Sequence, residues 1–268
     1  VQGSALNSHG VVDIDAANSS SIKAAVVSAS ASIAVGGIAG IGASIGVAVA
    51  RNYIGWKRDE EEDGDYETGE NPDSITTGET VEIASGVSAG NVYEYVDAED
   101  LLRPTATGSG DGDGNADEND NWLTRLNYSD PSQWRLANLK KDAADVQAYI
   151  LDSSVDADGA LTIDAVSQQS IDAVVFSGSV ALSGGLVGAA ISGAGASAEN
   201  RIASLVQAYV KGDMDDRGIE AESVSLSADD TSEINALTGA VSVAASVGLV
   251  GVSLSIGVGV AHNVIDNN

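Results

Sequence analysis

Three stretches of the chain alternate between branched apolar residues and small residues. Over residues 250–261, Val, Leu and Ile occupy every even position, and Gly, Ser and Ala occupy every odd one. Residues 41–50 follow a similar pattern. A period of two predicts a β-strand with one face buried, whereas a helix would spread the branched residues around its circumference. The sequence therefore predicts extended strands over 24–50, 174–198 and 237–261.

The absence of charge in these stretches raises a second interpretation. Residues 24–50 contain no charged side chain, and hydropathy alone would predict a membrane helix there. The alternation and the many glycines, which weaken a helix, favour strands instead. Gly36-Gly37 and Gly184-Gly185 fall at matching places within two stretches and predict a turn between two strands. The face of small residues allows a second layer to approach closely, or a narrow interior to close.

The chain also repeats itself. Ile14-Asp15-Ala16 returns as Ile163-Asp164-Ala165, 149 positions later, and as Leu226-Ser227-Ala228, a further 63 along. Val146–Ile150 and Val206–Val210 share another phrase, 60 positions apart. The predicted organisation is repeat unit 1 at residues 1–54, an inserted acidic and aromatic module at 55–145, repeat unit 2 at 146–205 and repeat unit 3 at 206–268.

Short alternating strands, Asp/Gly turns and a repeat of about 60 residues together predict an all-β fold. A β-solenoid-like repeat array with a small inserted module is favoured, because each unit can bury its apolar face only by stacking on a neighbour. A β-sandwich array is the alternative. The first unit lacks the opening phrase, so we expect neighbouring repeats, or copies of the chain arranged head to tail, as partners.

Composition narrows the function. The 40 acidic and 12 basic residues give a formal charge of −28, which repels nucleic acid and anionic membranes, so we expect no nucleic-acid partner and no membrane insertion. The chain has no cysteine, so disulfides and thiol chemistry are excluded. Its two histidines, His9 and His262, lie at opposite ends, and the glycine-rich stretches lack the Lys-Ser/Thr of a phosphate loop. We expect no enzymatic activity.

One segment of the insertion resembles the start of a calcium loop. Oxygen-bearing side chains occupy alternate positions at Asp111, Asp113, Asn115 and Asp117. Such spacing lets successive oxygens converge on one cation. The sixth and twelfth positions, Ala116 and Trp122, depart from the Gly and bidentate Glu of an EF-hand. Two interpretations stay open, an irregular calcium site and a solvated acidic loop.

Aromatic residues form the second candidate site. Tyr93, Tyr95 and Trp134 follow a strand-like segment of the insertion. Exposed rings in this arrangement would stack on the apolar faces of sugars. The alternative is that these rings form the core that an insertion of this size needs.

The order of these phrases resembles a known family. Val146–Ile150 precedes Ser154–Ala157 and Leu161–Ala165, and a Gly/Ala/Ser tract then closes on Asn200. This order resembles the repeats of giant bacterial secreted adhesin-like or hemagglutinin-like surface exoproteins. The resemblance implies an extracellular, cell-surface, non-enzymatic role in adhesion, cell–cell contact or filament formation, with cell-surface glycans among the partners. The alternative is a calcium-dependent carbohydrate-binding module carried on a repetitive stalk.

Overall fold

The computed structural model describes residues 1–59, 62–86, 88–104, 122–128, 130, 132–212 and 217–267. Within these ranges most of the chain is β-strand, and its one helical segment is a 3₁₀ turn at Trp122–Arg125. The prediction of an all-β protein is therefore confirmed. The chain forms two compact units, a main unit of Val1–Trp56 with Asp142–Asn268 and an inserted unit of Lys57–Lys141.

The strands are numbered along the chain. The first segment of the main unit contains β1 (Ala5–Ser8), β2 (Val12–Val35) and β3 (Ala39–Ile54). The insertion and its stem contain β4 (Trp56–Arg58), β5 (Tyr66–Glu67), β6 (Ser74–Ile75), β7 (Thr80–Glu82), β8 (Val92–Tyr95), β9 (Leu101–Leu102), β10 (Trp134–Leu136) and β11 (Leu139–Lys141). The second segment of the main unit contains β12 (Ala144–Leu151), β13 (Ser154–Ala157), β14 (Leu161–Gly184), β15 (Val187–Lys211), β16 (Ile219–Glu220), β17 (Val224–Asp230), β18 (Glu233–Val247) and β19 (Val250–Asn267).

The main unit is built from three parallel sheets. We call them the front sheet (β2, β14, and β17 with β18), the back sheet (β3 with β12, β15, β19) and the short sheet (β1, β13, β16). The chain passes through short, front and back sheets three times. Each passage is called a tier: β1, β2, β3 and β12 form the first, β13 to β15 the second, and β16 to β19 the third. The predicted strands over 24–50, 174–198 and 237–261 are the front-to-back connections of the three tiers.

The strand register explains the sequence repeats. Ile14 pairs with Ile163, which pairs with Leu226 on its other side. The residues that match in sequence are thus neighbours across parallel ladders. In the back sheet, Gln147 of the shared phrase pairs with Gln207. The sequence repeats therefore place equivalent side chains at the same position along the strands of adjacent tiers.

The insertion divides the back-sheet strand of the first tier into β3 and β12. The single strand β15 pairs with β3 through its first part and with β12 through its last part. Gly55 lies at the break with φ of 70°, and a side chain there would collide with the carbonyl of Ala203 and the amide of Ala144. A glycine is required because the backbone here has a positive φ and lies too close to Ala203 and Ala144 to accommodate a side chain.

The front and back sheets pack face to face around two apolar clusters. The first lies nearer the short sheet and includes Leu161, Ile163 and Ile150. The second lies further along the tiers and includes Ile171, Val175 and Ile202. Beyond the second cluster the tiers continue to turns at 36–38, 185–186 and 248–249. We call the uncharged stretch between that cluster and these turns the tip.

The inserted unit has its own core. Its largest sheet has the strand order β10-β8-β7-β5, with smaller pairs β6–β9 and β4–β11. The buried side chains that pack together are Ile75, Val81, Tyr95, Trp122, Leu123 and Trp134. Large aromatic residues supply most of this small core, because each buries 150–250 Å² or so.

Candidate functional site

A ladder of asparagine side chains crosses the three tiers. Asn52, Asn200 and Asn263 are paired neighbours in the back sheet. Nδ2 of Asn52 donates to Oδ1 of Asn200 at 2.7 Å, and Nδ2 of Asn200 donates to Oδ1 of Asn263 at 2.8 Å. The ladder has a direction, since it presents an amide oxygen on the first-tier side and an amide nitrogen on the third-tier side. A further tier on either side could extend it.

The outermost tiers expose unpaired strand edges. Within the described residues, β2 and β3 of the first tier pair only with β14 and β15, and β18 and β19 of the third tier pair only with the same two strands. Each edge therefore carries a row of backbone donors and acceptors that is open to a parallel strand. Because the two edges belong to opposite sides of the same ladders, one edge is complementary in register to the other.

Serine contacts join the front and back sheets within the tip. Each tier contributes one pair of hydroxyl oxygens: Ser30 and Ser44 at 2.8 Å, Ser179 and Ser192 at 2.5 Å, and Ser242 and Ser255 at 2.8 Å. A Cβ at Gly46 would lie only 2.5 Å from the carbonyl oxygen of Gly178. The two sheets therefore lie close together here. The interior of the tip is thus small, tightly packed and polar.

The outer faces of the tip have the opposite character. Branched apolar residues of all three tiers point away from the interior on both sheets. Exposed examples on the front sheet are Val27, Ile33, Val174, Phe176, Val180, Leu182, Leu237, Val241 and Val243. Exposed examples on the back sheet are Ile41, Ile45, Val187, Ile191, Val250, Val252, Leu254, Ile256 and Val258. The turns are also apolar, and Leu249 in the third-tier turn is 87% exposed.

On both sheets, the first charged residues lie at the same distance along the strands from the turns. On the front sheet, Lys23, Asp172 and Asn235 are paired neighbours. On the back sheet, Arg51 and His262 flank Glu199. From these two rows to the turns, none of the three tiers contains an Asp, Glu, Lys or Arg. The main unit is therefore divided sharply into a charged base and an uncharged tip.

An interior polar band separates the two apolar clusters. Gln169 and Ser167 point inward from β14 and are 1% and 0% exposed. Both amide atoms of Gln169 and the hydroxyl of Ser167 lack a hydrogen-bond partner among the described residues. Nearby, Ser204 donates to Asp230 of the third tier. Unpaired buried amides cost free energy, so this band lowers the stability of the main unit.

A tyrosine at the base of the back sheet has a strongly perturbed acidity. Tyr53 donates to Oε2 of Glu199 at 3.1 Å, and Nε of Arg201 donates to the other oxygen of that carboxylate at 2.9 Å. Burial, followed by the negative charge of Glu199, raises the pKa of Tyr53 well above its usual value. The guanidinium of Arg201 also lies 5.3 Å from the ring centroid of Trp56, a cation–π contact.

The aromatic residues predicted to bind carbohydrate lie in the inserted unit, and two of them are buried. Tyr95 and Trp134 are 2% and 4% exposed and pack with ring centroids 5.1 Å apart. Tyr93 is partly exposed, and its ring lies 5.2 Å from that of Tyr128. Stacking on a sugar needs an open ring face, which neither Tyr95 nor Trp134 offers in this arrangement, and carbohydrate binding by the three aromatic residues stays a prediction. Tyr95 and Trp134 serve as core residues, because the insertion has few other large side chains.

The calcium candidates Asp111, Asp113, Asn115 and Asp117 lie outside the described residues. Within the described part of the chain, no group of three or more His, Asp or Glu side chains is arranged to hold a metal ion. Calcium binding by these four residues therefore stays a prediction.

The comparisons give no relative on which to base a function. No family model matches the chain, and neither a curated protein nor a solved structure is similar enough to match. Within the described ranges, no helix has the length and apolar character needed to cross a membrane.

Sequence reasoning did not identify which face of the alternating strands is buried. The branched residues point outward in the tip, and the Gly, Ala and Ser residues point inward. The sequence contains a signal for the buried face, because the small-residue positions include many serines. Their hydroxyls can hydrogen-bond to one another across a narrow interior. The matched rows of charge at Lys23 and Asp172 also required knowledge of the register.

Proposed function

We propose that the chain is a structural repeat module of a large extracellular surface protein. In this proposal the main unit is a β-solenoid segment whose open edges pair with neighbouring repeats or with other copies, and so build a stalk or filament that serves adhesion or cell–cell contact. The extracellular location and the adhesive role are supported by the resemblance of the repeat phrases to secreted surface exoproteins. The proposal assigns no catalytic residue.

The single observation that carries this proposal is the direction of the asparagine ladder. Asn52 leaves an oxygen on the first-tier side and Asn263 leaves a nitrogen on the third-tier side. A third-tier edge can therefore donate to the first-tier edge of the next module in the geometry already used inside the chain. Contact between two different edges is heterologous, and it propagates unless the rotation between modules closes a ring.

Net charge sets the condition for assembly. Copies that each carry a charge of −28 repel one another, and salt screens this repulsion. We expect end-to-end oligomers that grow with protein concentration and with ionic strength. Light scattering and sedimentation velocity measure both dependences.

Two edge variants test the proposal. Gly195 on β15 pairs with Val47 of the first-tier edge and with Val258 of the third-tier edge. A lysine on an edge strand opposes pairing with a further strand. We expect Val47→Lys and Val258→Lys each to be monomeric, and Gly195→Lys, the central-strand control at the same height, to oligomerise like the unmodified chain.

Mixing the two edge variants gives the sharper result. Each variant retains one intact edge, and the intact edges are complementary. An equimolar mixture should therefore form dimers that grow no further. A strict monomer for the unmodified chain at high concentration and high salt, or identical behaviour of the edge variants and the Gly195→Lys control, would overturn the proposal.

A further inference from the structure

We infer that the tip of the main unit inserts into the hydrocarbon interior of a lipid bilayer. The inference starts from the reversal of polarity in the tip. Hydroxyl groups face inward, where Ser177 donates to the carbonyl of Gly46 at 2.7 Å, and branched apolar side chains face outward. A sheet that faces water on its outer side has the opposite pattern. An interior of small polar residues with an apolar exterior suits an apolar solvent.

The length of the tip fits a bilayer. On the front sheet of the second tier the uncharged stretch runs over residues 173–184, and on the back sheet over 187–198. At about 3.3 Å per residue these stretches are roughly 35–40 Å long. The hydrocarbon core of a bilayer is about 30 Å thick, and about 40–45 Å with its headgroup regions. The rows of charge at Asp172 and Glu199 would then lie at the headgroups of one leaflet.

The distribution of apolar surface favours lipid over a second copy of the chain. Both outer faces and the turns are apolar, with Ile33 73% exposed on the front sheet and Ile45 74% exposed on the back sheet. A fluid hydrocarbon covers both faces and the turns together, whereas a second copy covers one face. In a single chain that face, with three strands spaced about 4.8 Å apart, measures roughly 500 Å², so two unstacked chains could not form a stable interface through it. A stable protein interface buries about 800 Å² on each partner.

The charge of the chain indicates which lipid composition the tip would enter. All charged residues of the three tiers lie in the base, so the tip can enter a neutral bilayer without moving charge. A net charge of −28 opposes approach to an anionic surface. We therefore expect insertion into zwitterionic phosphatidylcholine vesicles, and weaker binding when anionic lipid is added at low salt.

This inference rests on the proposed function in one respect. Unpaired strand edges are not tolerated in hydrocarbon, because no water satisfies their backbone groups. The edges of β2, β3, β18 and β19 within the tip must therefore be paired by neighbouring tiers. Stacking in lipid-free buffer is measured separately, so failure of stacking and failure of insertion are distinguishable.

Two positions on the central strand β14 provide a matched test. Val180 points outward in the tip, and Gln168 points outward in the base. Neither lies on an edge strand. In flotation with phosphatidylcholine vesicles, Val180→Asp should lower the vesicle-bound fraction about tenfold or more, because an ionised carboxylate is costly in hydrocarbon. Gln168→Asp should bind like the unmodified chain.

The absence of native cysteine allows a second measurement that needs no charged variant. Val180→Cys and Gln168→Cys are each labelled with a fluorophore whose emission shifts to shorter wavelength in apolar surroundings. Vesicles should shift the emission of the label at position 180 and leave that at 168 unchanged. Insertion is overturned if the unmodified chain does not float, if both labels respond alike, or if Val180→Asp abolishes self-association in lipid-free buffer, which would assign the face to a second copy.

Discussion

The side chain of Asn200 accepts a hydrogen bond from Asn52 and is completely buried. The same side chain donates to the asparagine of the third tier, so one residue holds three tiers in register. In the interior of a sheet stack, a polar ladder of this kind specifies which residues lie side by side. A shift of one residue would separate the amides and leave those of Asn52 and Asn200 buried without partners.

Removing the central amide should therefore destabilise the main unit. Asn200→Ala eliminates two hydrogen bonds and leaves the amides of Asn52 and Asn263 unpaired, at a cost of about 2 kcal/mol or more. Chemical denaturation measures the change. Asn235→Ala is the control, because Asn235 is exposed and its side chain bonds only to Asp172 and Glu233 at the surface. Equal effects of the two substitutions would show that the ladder has no special role.

The close approach of the two sheets predicts opposite effects at two glycines. A Cβ at Gly46 would lie 2.5 Å from the carbonyl oxygen of Gly178 and 3.1 Å from Oγ of Ser177. Gly46→Ala must push the sheets apart and should cost about 1–3 kcal/mol. At Gly195, on the outer side of the back sheet, a Cβ meets no atom within 4 Å. Gly195→Ala should be neutral or slightly stabilising, because alanine reduces the entropy of the unfolded chain. Thermal melting distinguishes the two, and a stable Gly46→Ala variant would contradict the narrow interior.

The unpaired amide of Gln169 predicts a stabilising substitution. Gln169→Leu keeps a similar volume and removes two buried polar atoms that lack partners, so stability should rise by about 1 kcal/mol. Gln168→Leu, on the exposed side of the same strand, is the control and should change stability little. Loss of stability in Gln169→Leu would show that the amide has a favourable interaction in the folded protein.

The inserted unit should depend on Trp134 for its stability. Trp134→Ala leaves a cavity beside Tyr95 and should cost about 3–5 kcal/mol. Hydrogen exchange of β8 and β10 reports the loss locally. Arg135→Ala provides the comparison, since Arg135 forms only an exposed ion pair with Glu94 and such pairs contribute little. Unchanged exchange in Trp134→Ala would argue for a ligand-binding ring rather than a core residue.

High pH should destabilise the main unit through Tyr53. Burial and Glu199 raise the pKa of Tyr53 in the folded protein above its unfolded value near 10. The neutral phenol is thus favoured by folding, and its stabilising contribution is complete below pH 10 or so and is lost as pH rises further. The free energy of unfolding should fall with pH in this range. Tyr53→Phe should reduce the slope, and an unchanged slope would assign the effect to other groups.

The sequence was sufficient for the class of fold and for the repeats. The period of two at 250–261 predicts strands because side chains of a strand alternate between faces, and β19 covers those residues. The offset between Ile14 and Ile163 anticipates their pairing, because matching residues stack in repeat proteins. The first conclusion depends on local spacing, and the second depends on the match between distant segments of the sequence.

The character of the surfaces required the structure. Alternation shows that one face differs from the other, but it does not show which face is inside. In the tip the decision depends on serines such as Ser179 and Ser192 that satisfy each other across the sheets, a relation between residues 13 positions apart. Likewise, the burial of Trp134 depends on contacts with β8 and with Tyr128, which spacing alone could not supply.

The break at Gly55 has a wider consequence. In the first tier, a unit with its own core is inserted within a back-sheet strand. The two parts of that strand, β3 and β12, still pair with β15 on both sides of the insertion. Adjacent strands in a sheet are about 4.8 Å apart. The number of tiers between two such insertions therefore fixes the distance between the points where the inserted units are attached. A longer array of this design would act as a molecular ruler, on which the placement of attached modules is determined by counting tiers.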